Sequence, residues 1–144
     1  MKKTKGFTLI EMMVVVAIIA ILAAVAMNRL AGLVNKSKEG ATREALSSLR
    51  SVLSIYYGSN TFYPSDDLAC LIEDGRYISQ IPPTKLSGAG HADSRNISVG
   101  ASTAAALTDA GGWAYVNDPD SPSYGTLFIN CSHADLSGRA WDGQ

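Results

Sequence analysis

The sequence predicts an α+β chain, with one long N-terminal helix and a small antiparallel β-sheet head. Three observations predict it. Residues 7–27 are apolar except for Thr8 and Glu11. No proline occurs before Pro64, so a helix that begins in this run meets no residue that would break it. Late in the chain, GGWAYVN and GTLFIN are two apolar runs separated by DPDSPSY, the pattern of an antiparallel hairpin with a long acidic turn. The boundaries that follow are a leader over residues 1–6, a helix over 7–58 with its membrane or core part at 7–27, and a head over 59–144.

The first six residues, MKKTKG, are short, basic and polar. The 21 residues from Phe7 to Met27 would span about 30 Å as a helix, enough to cross a hydrocarbon core. A secretory signal peptide has a shorter apolar region ahead of a small-residue cleavage site, which Ala23, Ala24 and Ala26 mimic. The length of the run and the carboxylate of Glu11 near its start argue against that reading. Lys2, Lys3 and Lys5 put the N-terminus on the cytoplasmic side and everything after Met27 outside.

Further on, Ala41, Ala45, Leu49, Val52, Leu53 and Tyr56 recur at helical steps. They form the stripe of an amphipathic helix whose back face is Thr42, Arg43, Ser47, Ser48 and Arg50. Gly58, Ser59 and Asn60 read as its stop. Gly32 and Gly40 are its weak points, each costing about 1 kcal/mol against alanine. The first half of this helix is apolar all round and needs lipid or other copies of itself.

From residue 61 prolines and glycines become frequent. Ser65, Asp66 and Asp67 cap a short helix through Leu68, Leu71 and Ile72 that ends at Gly75. Residues 86–111 are rich in Gly, Ala and Ser and read as loop, with a short strand allowed at Asn96 to Val99. The sheet would bury one face on Leu49, Leu53 and Tyr56.

The chain is 47% hydrophobic and 17% charged, with a net charge of −1. Loss of residues 1–6 takes three lysines away, leaving 9 basic against 13 acidic residues, a net −4. Neither balance suits a nucleic-acid binder that works through a bulk basic field. Cys70 and Cys131 belong to no CxxC or Cys/His cluster, so metal-ligand spacing is absent. If the apolar run sends the rest of the chain across a membrane, a Cys70–Cys131 disulfide is the default in the oxidising compartment beyond. Such a bridge stabilises by about 4 kcal/mol in the chain-entropy model; two buried free thiols are the alternative.

The segment KGFTLIE, Lys5 to Glu11, followed by MMVVVAIIAILAAVA, resembles the type IV pilin family, including its type II secretion pseudopilin relatives. The resemblance is tight over residues 1–57 and reduces to general architecture beyond. It implies a type IV pilin fold and a membrane-embedded prepilin peptidase that cuts between Gly6 and Phe7 and methylates the new N-terminus of Phe7. Gly6 lets the backbone approach a peptidase closely. An ionisable Glu11 inside an apolar segment costs about 2.5–3.5 kcal/mol. The resemblance implies that it pairs with the Phe7 amine of a neighbouring subunit during assembly; a carboxylate that snorkels to the interface is the rival reading.

The partners implied are identical subunits in a helical filament, the peptidase and an inner-membrane assembly platform. The chain would sit in the inner membrane before assembly and in an extracellular pilus afterwards. Ala17, Ala20, Ala23, Ala24 and Ala26 would allow close helix approach, and a head-to-tail contact that does not close gives an open filament. With no phosphate-binding loop in the chain, the work of extrusion belongs to a separate motor. Many family members have a proline where this chain has Asn28, so Gly32 is the weaker point for any local unwinding.

The expected function is that of a structural pilus subunit serving adhesion, motility or DNA uptake, and no enzyme. The alternatives are a major pseudopilin of a type II secretion system and a membrane-anchored monomeric binding module. The GGW run and the acidic loop lean towards the pseudopilin; the late cysteine pair leans towards the pilin. His91 and His133 read as exposed loop residues with no nucleophile motif beside them. Asp118, Asp120, Ser121 and Ser123 offer hard oxygen ligands that suit calcium, as in the C-terminal loop of related pseudopilins, though not at EF-hand spacing; a solvated acidic turn is the alternative. No other cofactor is expected.

Overall fold

A computed structural model describes residues 6–73 and 75–144. All of the basic leader except Gly6 lies outside the described residues. The chain divides into two compact units, Met1–Asn35 and Lys36–Gln144. Helix α1, Leu9–Asn60, is 52 residues long and passes through positions 28 and 32 without a break, as a proline-free run should. It stops where the Asn60 side chain turns back to donate to the Tyr56 carbonyl at 2.9 Å. Thr61 then takes a left-handed conformation, φ 65°, and its N–H closes on the Tyr57 carbonyl at 2.7 Å, a left-handed C-terminal cap.

In the first unit every described side chain is exposed. In the second, α1 buries Glu39, Thr42, Leu46, Leu49 and Leu53. The stripe expected from Ala41 and Ala45 is therefore rotated at its start: Ala41 is exposed, and two polar residues occupy the face it was expected to fill. Thr42 has no exposed surface because its hydroxyl accepts from Lys85 N–H at 2.8 Å and lies 3.1 Å from the Lys85 carbonyl. It staples the loop that follows Pro82 and Pro83 to the helix.

The sheet has three strands in the order β1-β2-β3: β1 Ile97–Gly100, β2 Trp113–Val116 and β3 Leu127–Ile129. The hairpin of β2 and β3 is antiparallel, with Trp113 opposite Ile129 and Tyr115 opposite Leu127. The all-antiparallel expectation is corrected by β1, which runs parallel to β2, Ile97 beside Trp113 and Gly100 beside Val116. The sheet is mixed because the chain crosses from β1 to β2 through a one-turn helix, α2 (Thr103–Ala106), and not through a tight turn.

All residues of β2 and β3 are buried, since both faces of the sheet are covered. Alternation sends Trp113, Tyr115, Leu127 and Ile129 to the core with Leu46, Leu49 and Leu53 of α1. It sends Ala114, Val116 and Phe128 to Ala106 on the opposite face. Gly100 makes that second layer fit: a Cβ there would lie 2.5 Å from the Ala106 nitrogen. Polar tips of core aromatics tie the loops down, Trp113 Nε1 donating to Pro82 O at 2.8 Å and Tyr115 O–H to Pro64 O at 2.7 Å. The short helix expected after Ser65 is a single 3-10 turn, Ala69–Leu71, and Asp66 caps it by accepting from Leu68 and Cys70 N–H at 3.1 and 3.0 Å.

A polar cluster fastens the C-terminal segment to α1. Asp135 accepts from Arg43 Nη2 at 2.5 Å and from the N–H groups of Ser137 and Arg139 at 2.8 and 2.9 Å. Glu39 accepts from Leu136 N–H at 2.9 Å, and the Arg43 guanidinium lies over the Trp141 ring at 4.9 Å. Arg50 reaches Leu127 O and Gln144 O. The expected polar back face is thus partly an attachment face.

Both cysteines are free thiols, so the bridge expected between Cys70 and Cys131 is not formed in this structure. Each sulfur has its own polar neighbour: Cys70 donates to Asp66 Oδ1 at 3.5 Å, and Cys131 lies 3.5 Å from His133 Nδ1. Burial, reinforced by the Asp66 carboxylate, pushes the Cys70 thiol up to about 11; burial also raises Cys131. Thiols held protonated oxidise slowly.

Three outcomes test this account of the head. Leu49, with no exposed surface, should cost about 2–5 kcal/mol on replacement by alanine, measured by urea unfolding of the chain in detergent. Asp135 is held down at about 2 from an ordinary 3.8, chiefly by the Arg139 N–H. Its ionised form is thus favoured by folding, so its contribution is complete above about pH 4 and is lost as pH falls towards about 2. Unfolding midpoints followed by tryptophan fluorescence should fall across that window in the parent and less steeply in Asp135→Asn. Electrophoretic mobility should be the same with and without reductant, and both cysteines should alkylate after denaturation without reductant; a reductant-dependent shift would restore the bridge.

Candidate assembly site

Helix α1 begins with a reciprocal cap. Thr8 is the residue before the first helical position, and its N–H and hydroxyl both donate to Glu11 Oε2, at 2.8 and 2.7 Å. Thr8 Oγ1 in turn lies 3.3 Å from Glu11 N–H. This is the Ser/Thr-x-x-Glu capping box, which satisfies backbone donors that a helix start leaves open. The spacing is legible in TLIE, where Thr8 is followed three residues later by Glu11. Both Thr8 donors converge on Oε2, and among the described residues Glu11 Oε1 accepts no hydrogen bond.

The junction ahead of the cap is open. Phe7 is 79% exposed, and a Cβ built on Gly6 would meet nothing within 4 Å. Among the described residues, then, no packing in the chain itself calls for glycine at position 6. Beyond the cap, α1 is long and apolar enough to cross a membrane, with a mean hydropathy of 2.9 over its most apolar 18 residues and none of them buried. A core helix of a soluble domain would be covered by its own chain; this one is not. Ala17, Ala20, Ala23, Ala24 and Ala26 share that exposure.

The other candidate residues lie in the head. Asp118 Oδ1 accepts from Asp120 N–H at 3.0 Å, and Ser121 N–H closes on Asp118 O at 3.1 Å. Asp118 and Asp120 therefore stand in a turn that Asp118 stabilises by itself. His133 is exposed as expected. His91 is not: its side chain is 16% exposed and its Nε2 is buried without a hydrogen-bond partner. The two rings meet edge to face at 5.2 Å, with Asp109 and Cys131 beside them. The sequence signal for this grouping was Cys131-Ser-His133, a Cys-x-His step that a search for CxxC passes over.

Comparison with known proteins points the same way as the helix start. Residues 1–27 match the family described as the prokaryotic N-terminal methylation motif. The chain is similar to the fimbrial protein EcpC of Eikenella corrodens, 35% identical over 80 residues covering 54% of this chain and 52% of that protein. It is also similar to the type II secretion system core protein G of Vibrio cholerae, 33% identical over 95 residues covering 57% of this chain and 65% of that protein. The chain thus spans between half and two thirds of the length of these relatives. No solved structure matches significantly. A methylation motif over its capped, uncovered apolar helix start, a small mixed sheet packed on the later turns of that same helix, and likeness to both a fimbrial protein and a secretion core protein together support a place for the chain in the type IV pilin family.

Proposed function

We propose that the chain is the repeating structural subunit of a type IV pilus, for adhesion, motility or DNA uptake. The observation that carries this reading is the uncovered apolar helix that opens on Gly6–Phe7 and the Thr8–Glu11 box. The basic leader keeps the N-terminus cytoplasmic and the apolar run holds the chain in the inner membrane. Prepilin peptidase cuts after Gly6 and methylates Phe7. The assembly platform then moves the subunit from lipid into a bundle of identical helices. There Glu11 accepts the Phe7 ammonium of the neighbouring subunit, so that both charges are neutralised as lipid is exchanged for protein. In DNA uptake, a mature chain of net charge −4 would act as a carrier fibre and not as a direct DNA ligand.

A major pseudopilin of a type II secretion system is the second reading, favoured by the similarity to core protein G. It shares every step up to the length and location of the fibre. A monomeric anchored binding module gives no reason for a methylation motif and falls behind both.

Expression of the chain with an assembly machinery, shearing of the cell surface, electron microscopy and mass spectrometry of the N-terminus separate these readings. Long fibres of a subunit that begins at methylated Phe7 are expected. A processed subunit confined to the membrane would favour the pseudopilin, and an uncut Met1 would overturn the processing step. In Glu11→Ala, cleavage should persist while fibre yield falls roughly tenfold or more, because an unpaired ammonium in an apolar bundle costs several kcal/mol. Thr8→Ala loses only the cap, about 1 kcal/mol, and should reduce yield far less. Equal yields from the two variants would confine Glu11 to capping.

A further inference from the structure

We propose that His91, Asp109, Cys131 and His133 form a binding site for a zinc ion, at the end of β3 and the loop that leads into β2. The four ligand atoms lie within 4.8 Å of one another. Asp109 Oδ1 is 3.4 Å from His133 Nδ1 and 3.7 Å from His91 Nε2, and Cys131 Sγ is 3.5 Å from His133 Nδ1. A tetrahedron with zinc–ligand bonds of about 2.0–2.3 Å has edges of roughly 3.3–3.8 Å. The Asp109–His133 and Cys131–His133 edges are therefore already at the length that a bound ion imposes, and the Asp109–His91 edge is only slightly longer.

The surrounding residues hold this arrangement in place. Asn130, buried at the end of β3, accepts from Thr108 and Asp109 N–H at 2.8 and 2.9 Å and donates to Thr108 Oγ1 at 2.8 Å. Asp109 is thereby kept in a left-handed conformation, φ 56°, and its Oδ1 is aimed by the N–H of Ser132 at 2.8 Å. Gly111, φ 76°, admits His91: a Cβ there would stand 3.0 Å from His91 Cβ. A second observation points to a ligand. His91 Nε2 is buried with no hydrogen-bond partner, and a buried polar atom left unpaired is costly. The nearest Asp109 oxygen is too far to serve it, whereas a cation between them would be bonded to both.

The donor set selects the ion. Two imidazoles, one thiolate and one carboxylate suit a borderline-soft tetrahedral cation; calcium and magnesium prefer oxygen alone. On binding, the Cys131 thiol gives its proton to solvent and its sulfur bonds the metal, while neutral His91 binds through Nε2 and neutral His133 through Nδ1. A metal-bound Cys131 is closed to disulfide exchange with Cys70.

The test uses the full chain without a histidine tag, in detergent and a non-chelating reductant, loaded with zinc and then with cobalt(II) as a spectroscopic substitute. One bound metal per chain is expected. The cobalt form should show the visible bands of a tetrahedral site and a near-ultraviolet thiolate-to-metal band. Cys131→Ser should abolish that thiolate band and Cys70→Ser should leave it. His133→Ala, at an exposed position that folding tolerates, should weaken cobalt binding roughly tenfold or more. Absence of the bands from the folded parent, their dependence on Cys70, or indifference to His133→Ala would each overturn the site. None of these readouts depends on whether the chain forms a pilus.

Discussion

The apolar surface of residues 7–27, exposed at every described position, has to be taken up by something outside the chain, because apolar area of that extent drives association in water. Lipid and a bundle of copies are chemically similar answers, both apolar on all sides of the helix. Passage from one to the other therefore changes little in hydrophobic free energy. What distinguishes the two states is packing, together with the few polar groups the segment carries. That is why a single carboxylate in the run bears so much of the functional argument.

The head meets the opposite requirement, since it must close its own core on the same helix. Leu46, Leu49 and Leu53 supply the apolar contact, but the register of that contact is set by polar groups. Thr42 fixes the Lys85 backbone, and Glu39, Arg43 and Arg50 fix the chain from Leu127 to Gln144. Apolar packing alone would tolerate rotation of the helix by a side chain or so, whereas buried hydrogen bonds do not. The sheet is dressed in the same way on both faces, so all positions of β2 and β3 are buried although the strands are only four and three residues long.

Much of this was legible in the residues, and the exceptions share a cause. The long helix and the β2–β3 hairpin were marked by periodicity, by absence of proline and by paired apolar runs, all local signals. The parallel pairing of β1 was not, because ISVG carries no sign of direction and its partner is set by α2 folding over the sheet. The buried stripe departs from expectation at Ala41 because Thr42, expected on the polar back face, and Glu39 turn to the core instead; a polar side chain on a core face is visible only once its partners across the fold are known. The same holds for the thiols, where an argument from compartment assigned a bridge and the fold gave each sulfur a different neighbour. His91 was read as exposed because its burial comes from Gly111 and Asp109, both distant in sequence.

The capping box alters how Glu11 should be understood. An isolated carboxylate in an apolar segment would be expected to protonate or to retreat to the interface. Here two donors from Thr8 converge on one of its oxygens, and the position at the third residue of the helix places it where the helix dipole favours negative charge. The charge is thus already partly compensated before any neighbour arrives, which lowers the cost of carrying it through the membrane. The compensation uses Oε2 and restrains the orientation of the carboxylate, leaving Oε1 without a hydrogen bond among the described residues. In the proposed assembly the incoming ammonium meets an acceptor that is already oriented, and pairing costs less side-chain entropy than a freely rotating glutamate would lose. Thr8 and Glu11 are on this argument one device, in which the threonine makes the charge tolerable in lipid and the glutamate makes it useful in the filament.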